Sequence, residues 1–489
     1  MSNTRRVLVT GATGYVGGRL VPRLLAAGYR VRVLVRDPAR LQGRPWLNQV
    51  EVAEGDVLRP DTLPAALDGV QAAYYMVHSM LTHGDFAAQD VAAARAFSQA
   101  ALKAGVQQIV YLGGLGDPQA DLSEHLRSRQ KTGDALREAG VPVTELRAAV
   151  IVGSGSLSFE MIRNLTERLP VMICPRWVFT RIQPIAIDDV LEYLAVSIET
   201  PAARGAVIEI GGTDVITYGD MMRGYASARG LRRLLIAVPV LTPRLSSYWV
   251  HWMTPIPAGI ARPLIEGLRN EVVVRDDAAR RIFPAIHPLD FPTAVRKALA
   301  QLEAGPVETT WSDALVTTEG DHAAVLLTLR EGMIVERRQE TLVAPAEVAY
   351  AAFSRLGGET GWLYANGLWR IRGAIDRLAG GVGMRRGRRD PVDVRVGDAL
   401  DFWRVEAVEP GRLLRLRAEM KVPGRAWLQF EAQPREPSGS RLVQTAFFAP
   451  RGLLGLLYWY GLYPIHSLIF SGLIRRLAAR VETHTAPSG

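Results

Sequence analysis

"VLVTGATGYVGGRL", residues 7–20, decides the fold. A short apolar run leads into Gly11, Gly14 and Gly17, spaced three apart, and the residues after them keep helical spacing. Strand, bare turn and helix in this order open a doubly wound sheet. Glycine lets the chain turn sharply, and no side chain then separates a pyrophosphate from the amides at the positive helix N-terminus. Three glycines mean little in a chain that has 46; their place directly after an apolar strand carries the reading. Pro22 falls inside the expected helix, where it removes a backbone hydrogen bond and predicts a kink.

Outward from this turn, strand-like runs recur at 6–10, 30–36, 50–56, 72–77, 108–114 and 143–153, with helical stretches between them that stop at Gly69, Gly105 and Gly140. Such alternation builds an α/β Rossmann fold, a doubly wound parallel sheet covered by helices. Residues 155–300 are less regular and richer in proline, as in a substrate-side lobe. From about residue 330 the order becomes strand, helices, four strands and a long final helix, an α+β arrangement. The expected organisation is a Rossmann domain at 1–305 with its lobe at about 155–300, a linker at 306–328 and a second domain at 329–484.

At 489 residues, with 48% hydrophobic and 22% charged, the chain has room for two or three cores and is not intrinsically disordered. Lys and Arg exceed Asp and Glu by 58 to 49, a net charge of +9 that points to anionic partners such as a phosphorylated cofactor or a lipid surface. Cys174 is the sole cysteine, which excludes an internal disulfide and a cysteine-built zinc site, so no metal is expected and a reducing cytoplasm fits best. "MSNTRRVLVTG" runs straight into an apolar strand without the h-region of a secretion signal.

The G-x-x-G-x-x-G spacing of "TGATGYVGG" resembles the short-chain dehydrogenase/reductase superfamily, more closely its extended and atypical members, over about residues 5–300. The NmrA-like proteins and the reductase-like accessory subunit of respiratory complex I belong to this group. The resemblance implies a nicotinamide dinucleotide on Gly11, Ala12, Thr13, Gly14, Tyr15, Val16 and Gly17. Arg36 ends the second strand, where NADP-binding relatives meet the 2′-phosphate, and Arg40 lies close by. NADP(H) is therefore the expected cofactor, while Asp37 keeps NAD(H) open. A solvated strand-end charge is the plainer reading of Arg36. Asp56 and Val57, after Gly55, look like the adenine-contacting turn, and Val77 with His78 closes the fourth strand beside the cofactor.

"SEHLRSRQKTG", residues 123–133, falls where this superfamily carries its Y-x-x-S-K motif. Counted back from "LREAG", the tyrosine position is His125, the serine Ser128 and the lysine Arg129, and Gly113 and Gly114 stand where relatives place a partner serine. Two readings stay open. His125 can act as a general acid near neutral pH while Arg129 keeps the positive charge and the ribose contacts, giving a modified oxidoreductase for an apolar carbonyl or quinone-like substrate. Alternatively the chain is a non-catalytic sensor or assembly factor responsive to NADP(H) or lipid. Lys131 is off phase and should face elsewhere.

From "GMIVERRQETLVAPAEVAYAAFSRL" onward the chain resembles the START/polyketide-cyclase (SRPBCC) superfamily of helix-grip folds. That implies an apolar molecule, a lipid or quinone, held between sheet and final helix, with Trp362, Trp369, Trp403 and Trp427 as candidate lining or simply core. The arginines of "MRRGRRD", Arg385, Arg386, Arg388 and Arg389, read as a solvated loop or a contact for an anionic head group. Without interleaved aromatics or a groove-reading helix they do not suggest nucleic acid. Residues 452–474 carry no Asp, Glu, Lys or Arg, and about 20 apolar residues cross a bilayer. Association with the inner face of the membrane is accordingly set beside the cytoplasmic reading, with Pro464, His466 and several glycines against insertion.

Overall fold

The computed structural model describes residues 5–41, 44–77, 86–238, 265–304, 325–330, 333–378, 383, 390, 393–435 and 438–485. It divides into two compact units, Met1–Glu319 and Gly320–Gly489.

In the first unit, β1 (Arg6–Thr10), β2 (Arg30–Val35), β3 (Glu51–Glu54), β4 (Ala72–Tyr75), β5 (Gln108–Gly114) and β6 (Val143–Ala148) form where the apolar runs predict them. Between them run α1 (Tyr15–Ala26), α2 (Leu63–Leu67), α3 (Phe86–Lys103) and α4 (Glu124–Arg137). Helix α1 contains Pro22 and continues four residues beyond it. The chain then builds α5 (Leu157–Arg168), β7 (Val171–Pro175), α6 (Ile187–Ser197), β8 (Val207–Ile210), α7 (Tyr218–Ala228), β9 (Leu234–Val238), α8 (Ala278–Ile282) and α9 (Phe291–Ala304).

The sheet order is β8-β6-β5-β4-β1-β2-β3, with every pairing parallel. It grows outward in opposite directions from β1 and β4, so the crevice at their carboxyl ends is the topological switch point, where open α/β sheets bind ligands. Both faces are buried, as a parallel sheet requires. Leu8, Ala73 and Tyr111 pack with Leu63 and Phe97 on one face, and Val7, Val9 and Val110 with Leu20, Leu24 and Leu194 on the other. Strand β8 completes the sheet from within the stretch expected to be a lobe. In the lobe, β7 pairs with β9 beside the buried helix α5.

The second unit is a separate antiparallel sheet domain. It consists of β10 (Val325–Arg330), β11 (Met333–Leu342), α10 (Ala346–Phe353), α11 (Asn366–Leu378), β12 (Ala399–Leu400), β13 (Trp403–Glu409), β14 (Leu413–Ala418), β15 (Gly424–Pro434), β16 (Ser440–Pro450) and α12 (Gly452–Thr485). The sheet order is β10-β11-β16-β15-β14-β13-β12. Strand β10 begins four residues before the expected domain start at 329.

Helix α12 packs on β11, β16 and α10. The alternation of β15 puts Leu428, Phe430 and Ala432 in the core with Leu473 and Leu477 of α12. Trp362, Trp369 and Trp403 join that core. Trp427 does not: it is one residue out of phase with Leu428 and lies on the opposite face of the pleat, the one carrying Gln429 and Glu431, so it is removed from the candidate lining.

Candidate functional site

The crevice is built from the turn after β1. Gly11 holds φ +67°, and a Cβ there would lie 2.5 Å from the Met76 carbonyl oxygen just past β4, so only glycine fits. Thr10 fastens the same junction, its Oγ1 donating to Tyr74 O at 3.2 Å and accepting from Met76 N at 2.9 Å. A Cβ on Gly17 would lie 2.4 Å from Gly11 O, so α1 can sit against the turn only while this residue is bare. Gly14 differs: among the described residues a Cβ there would meet one atom, Gly11 O, at 3.2 Å.

Gly14 is also the N-cap of α1, with no side-chain cap and no acid in the first turn. The first turn of α1 therefore offers an anion main chain and the positive helix end rather than an acidic side chain. These residues fit the diphosphate of a dinucleotide. Ala12 is buried and Thr13 half-buried. The Tyr15 ring reaches Gly153, its Oη lying where a Cβ on that glycine would be. One helical turn on, the Arg19 guanidinium sits 4.8 Å from that ring and donates to Ser154 O at 2.8 Å.

Arg36, expected at the adenosine end, is exposed directly after β2. Gly55 N donates to Val35 O at 2.9 Å, which brings the 55–57 turn beside it. Asp56 shapes that turn by accepting Leu58 N at 3.0 Å and donating its own amide to Thr62 Oγ1 at 3.1 Å, while Val57 is buried. Val77 is half-buried at the end of β4. His78 and the four arginines at 385, 386, 388 and 389 lie outside the described residues.

Helix α4 carries His125 and Arg129 one turn apart, both half-buried, with Lys131 exposed. Ser123 caps the helix by accepting Leu126 N at 3.4 Å, and Asn270 anchors it, its Oδ1 accepting Ser123 N at 3.0 Å and its Nδ2 donating to Asp121 O at 2.9 Å. Arg129 donates to Leu112 O and lies 5.4 Å from the Tyr111 ring centroid. Tyr111 does not replace the missing phenol. Its hydroxyl donates to Arg129 O at 3.0 Å, and burial, opposed by the Arg129 charge, pushes it up to about 12.

The glycine pair that ends β5 is a packing feature. A Cβ on Gly114 would lie 3.1 Å from Leu126 Cδ2 and 3.6 Å from Arg129 Cβ, so α4 occupies the space a serine would need. Ser128 is fully buried, and its Oγ meets no hydrogen-bond partner among the described residues.

Arg275 was not foreseen. It bridges the ends of two strands, with Nε on Glu209 Oε1 at 2.9 Å at β8 and Nη1 on Asp117 Oδ1 at 3.0 Å after β5. The contact spans more than sixty residues of sequence, and no local pattern announces it. Among the described residues one helix segment, Gly452–Thr483, is long and apolar enough to cross a membrane. Its Leu473, Leu477 and Val481 are buried in the second unit, whereas Leu454, Leu457 and Leu468 are exposed.

Residues 11–161 match a family model described as NAD(P)H-binding, and residues 332–473 match one described as Protein of unknown function (DUF2867). The chain is 30% identical over 237 residues to the ceramide reductase of Caulobacter vibrioides, covering 48% of this chain and 73% of that protein. It is 34% identical over 297 residues to sterol demethylase protein B of Methylococcus capsulatus, covering 58% and 84%. To the photosystem II assembly factor Ycf39 of Trieres chinensis it is 26% identical over 208 residues, covering 42% and 63%. With its bare first turn and doubly wound sheet, the chain belongs to the family of NAD(P)H-binding proteins related to the short-chain dehydrogenases/reductases and binds a nicotinamide dinucleotide.

Proposed function

We propose that the chain is an NADP(H)-dependent reductase of an apolar carbonyl or quinone-like substrate, with lipid-sized molecules as the substrate class. The observation that carries this is His125 and Arg129 on one face of α4, in the places the superfamily gives its proton donor and its cation. Two relatives point the same way through their names, which specify a ceramide and a sterol.

The bare turn at Gly11, Gly14 and Gly17 would hold the diphosphate, and Arg36 the 2′-phosphate. NADPH bound there supplies a hydride. His125 would hold the proton for the substrate oxygen, an imidazole being effective near neutral pH without the tuning a phenol needs. Arg129, fixed by the Leu112 carbonyl and the Tyr111 ring, would supply the positive charge beside the ribose. Asn270 and the Arg275 bridge would keep α4 and the strand ends in register with the lobe.

We assign the second unit, as a helix-grip domain, to holding the apolar molecule. Helix α12 would lie along a membrane surface on the cytoplasmic side rather than span it, since spanning would strip Leu473, Leu477 and Val481 from the core. Oxidation of NADPH by the purified chain against a panel of long-chain ketones, aldehydes and quinones tests the reading. Turnover with at least one is expected, and none with any would overturn it.

A second reading, a non-catalytic assembly factor or sensor, is favoured by the missing tyrosine and by the likeness to an assembly factor. It predicts NADPH uptake without turnover and no effect of changing His125.

A further inference from the structure

The inner face of the second unit's sheet carries charges on a register that is otherwise apolar. Along β11, Ile334, Glu336 and Arg338 share the buried side, the last two only 1% and 3% exposed. Arg338 donates to Glu336 Oε1, and from the same guanidinium to Ser471 Oγ at 2.7 Å and Ser467 Oγ at 3.1 Å on α12. The pair is closed toward the helix and incomplete elsewhere. Among the described residues, Glu336 Oε2 and Arg338 Nε are buried without a hydrogen-bond partner, and so is Oε1 of Gln444, which stands directly opposite Arg338 on β16. Trp459 Nε1 and His466 Nδ1 on α12, and Trp403 Nε1 on β13, are likewise unmatched among the described residues.

Backbone strain gathers in the same core. Leu363 and Ala365 hold φ 58° and 54° beside Trp362, and Asp401, at φ 55°, accepts Trp362 Nε1 at 2.9 Å. Non-glycine residues keep such angles only where their surroundings compel it, and ligand clamps are among those places.

Buried polar atoms almost always find partners, so a cluster of partnerless donors and acceptors on facing elements marks a site that a ligand completes. We infer that this cluster binds an uncharged amphiphile with an apolar body, whose polar head offers both a donor and an acceptor, as a hydroxy-amide does. Charge follows from the ion pair. A carboxylate would set a second anion beside Glu336, and an ammonium a second cation beside Arg338, each without a counterion of its own. A plain hydrocarbon would leave Glu336 Oε2, Arg338 Nε and Gln444 Oε1 unmatched. Trp403, Phe430, Phe448 and Phe470, buried in the same apolar cluster, would pack against the apolar body. This inference rests on the assignment of an apolar molecule to the second unit and names its head group.

The test titrates the full-length protein calorimetrically with N-decanoylethanolamine, decanoate and decylamine. The neutral hydroxy-amide is expected to bind one per chain, about tenfold or more tighter than either ion. Gln444→Leu should weaken it about tenfold while the melting temperature stays near the parent's. Glu336→Gln, which frees the Arg338 charge, should move the preference toward decanoate, a readout that a merely structural pair would not give. Equal affinity for all three probes, no binding of any, or indifference to both substitutions overturns the inference. NADPH titrated into the same sample separates the two readings: uptake of NADPH without the amphiphile defeats this inference and leaves the reductase standing, and the reverse defeats the reductase.

Discussion

The carbonyl oxygen of Met76 lies 2.5 Å from the point a Cβ on Gly11 would occupy, so the end of β4 and the turn after β1 touch main chain to main chain. No side-chain adjustment relieves such a contact. Gly11→Ala must move the backbone and also hold a left-handed φ, costing on the order of 1–3 kcal/mol. The variant should melt several degrees lower and lose NADPH uptake. Gly14→Val meets less of the protein, so its melting temperature should change little while its uptake falls as far. Melting curves and NADPH titrations on both variants check the contrast.

Arg36 is exposed and belongs to no described ion pair, so its substitution reports on the cofactor more than on the fold. Arg36→Glu should weaken NADPH about tenfold or more, the worth of one charge-assisted contact, and leave NADH nearly unchanged. Equal effects on both nucleotides would assign Arg36 to solvent.

For His125→Phe, turnover should drop by about 10² to 10⁴, the usual reach of a positioned acid, with NADPH affinity retained. Arg129→Met should instead weaken cofactor binding and lower the melting temperature, because the residue also ties α4 to the Leu112 carbonyl. Steady-state rates and binding titrations on the two variants separate these effects.

His466 supplies a pH prediction. Burial, reinforced by the nearby Arg372 charge, lowers it from 6.5 to about 4. The unfolded chain takes up a proton below about pH 6.5 that the folded protein refuses until about pH 4. Stability is therefore intact above the first value, is lost as the pH falls between them, and levels off below the second. The loss is at most about 3 kcal/mol. Denaturant melts across that window should show a smaller decline for His466→Phe than for the parent.

Local patterns made much of this legible. Strands β1 to β6 were readable because apolar runs end at glycines or turn residues, and the turn itself because its chemistry lies within ten residues of sequence. The same reading missed β8, embedded in the irregular stretch after residue 155, and every contact that joins distant segments, including Asn270 with Ser123 and Arg275 with Glu209. Gly113 and Gly114 looked like an absent serine, whereas Glu145 fills the space beside the first and Leu126 and Arg129 the space beside the second. Two signals were present and unread. Trp427 is out of phase with Leu428 and Phe430, which places it, still buried, on the other face of the sheet from their cluster, and in "MIVERRQETL" the register of Ile334 brings Glu336 and Arg338 inside.

The most direct measurement of the central claim is calorimetric titration of the purified full-length chain with NADPH and with NADH. One NADPH per chain, bound at micromolar or better and about tenfold tighter than NADH, is the result this account predicts. The absence of uptake of either nucleotide would contradict it.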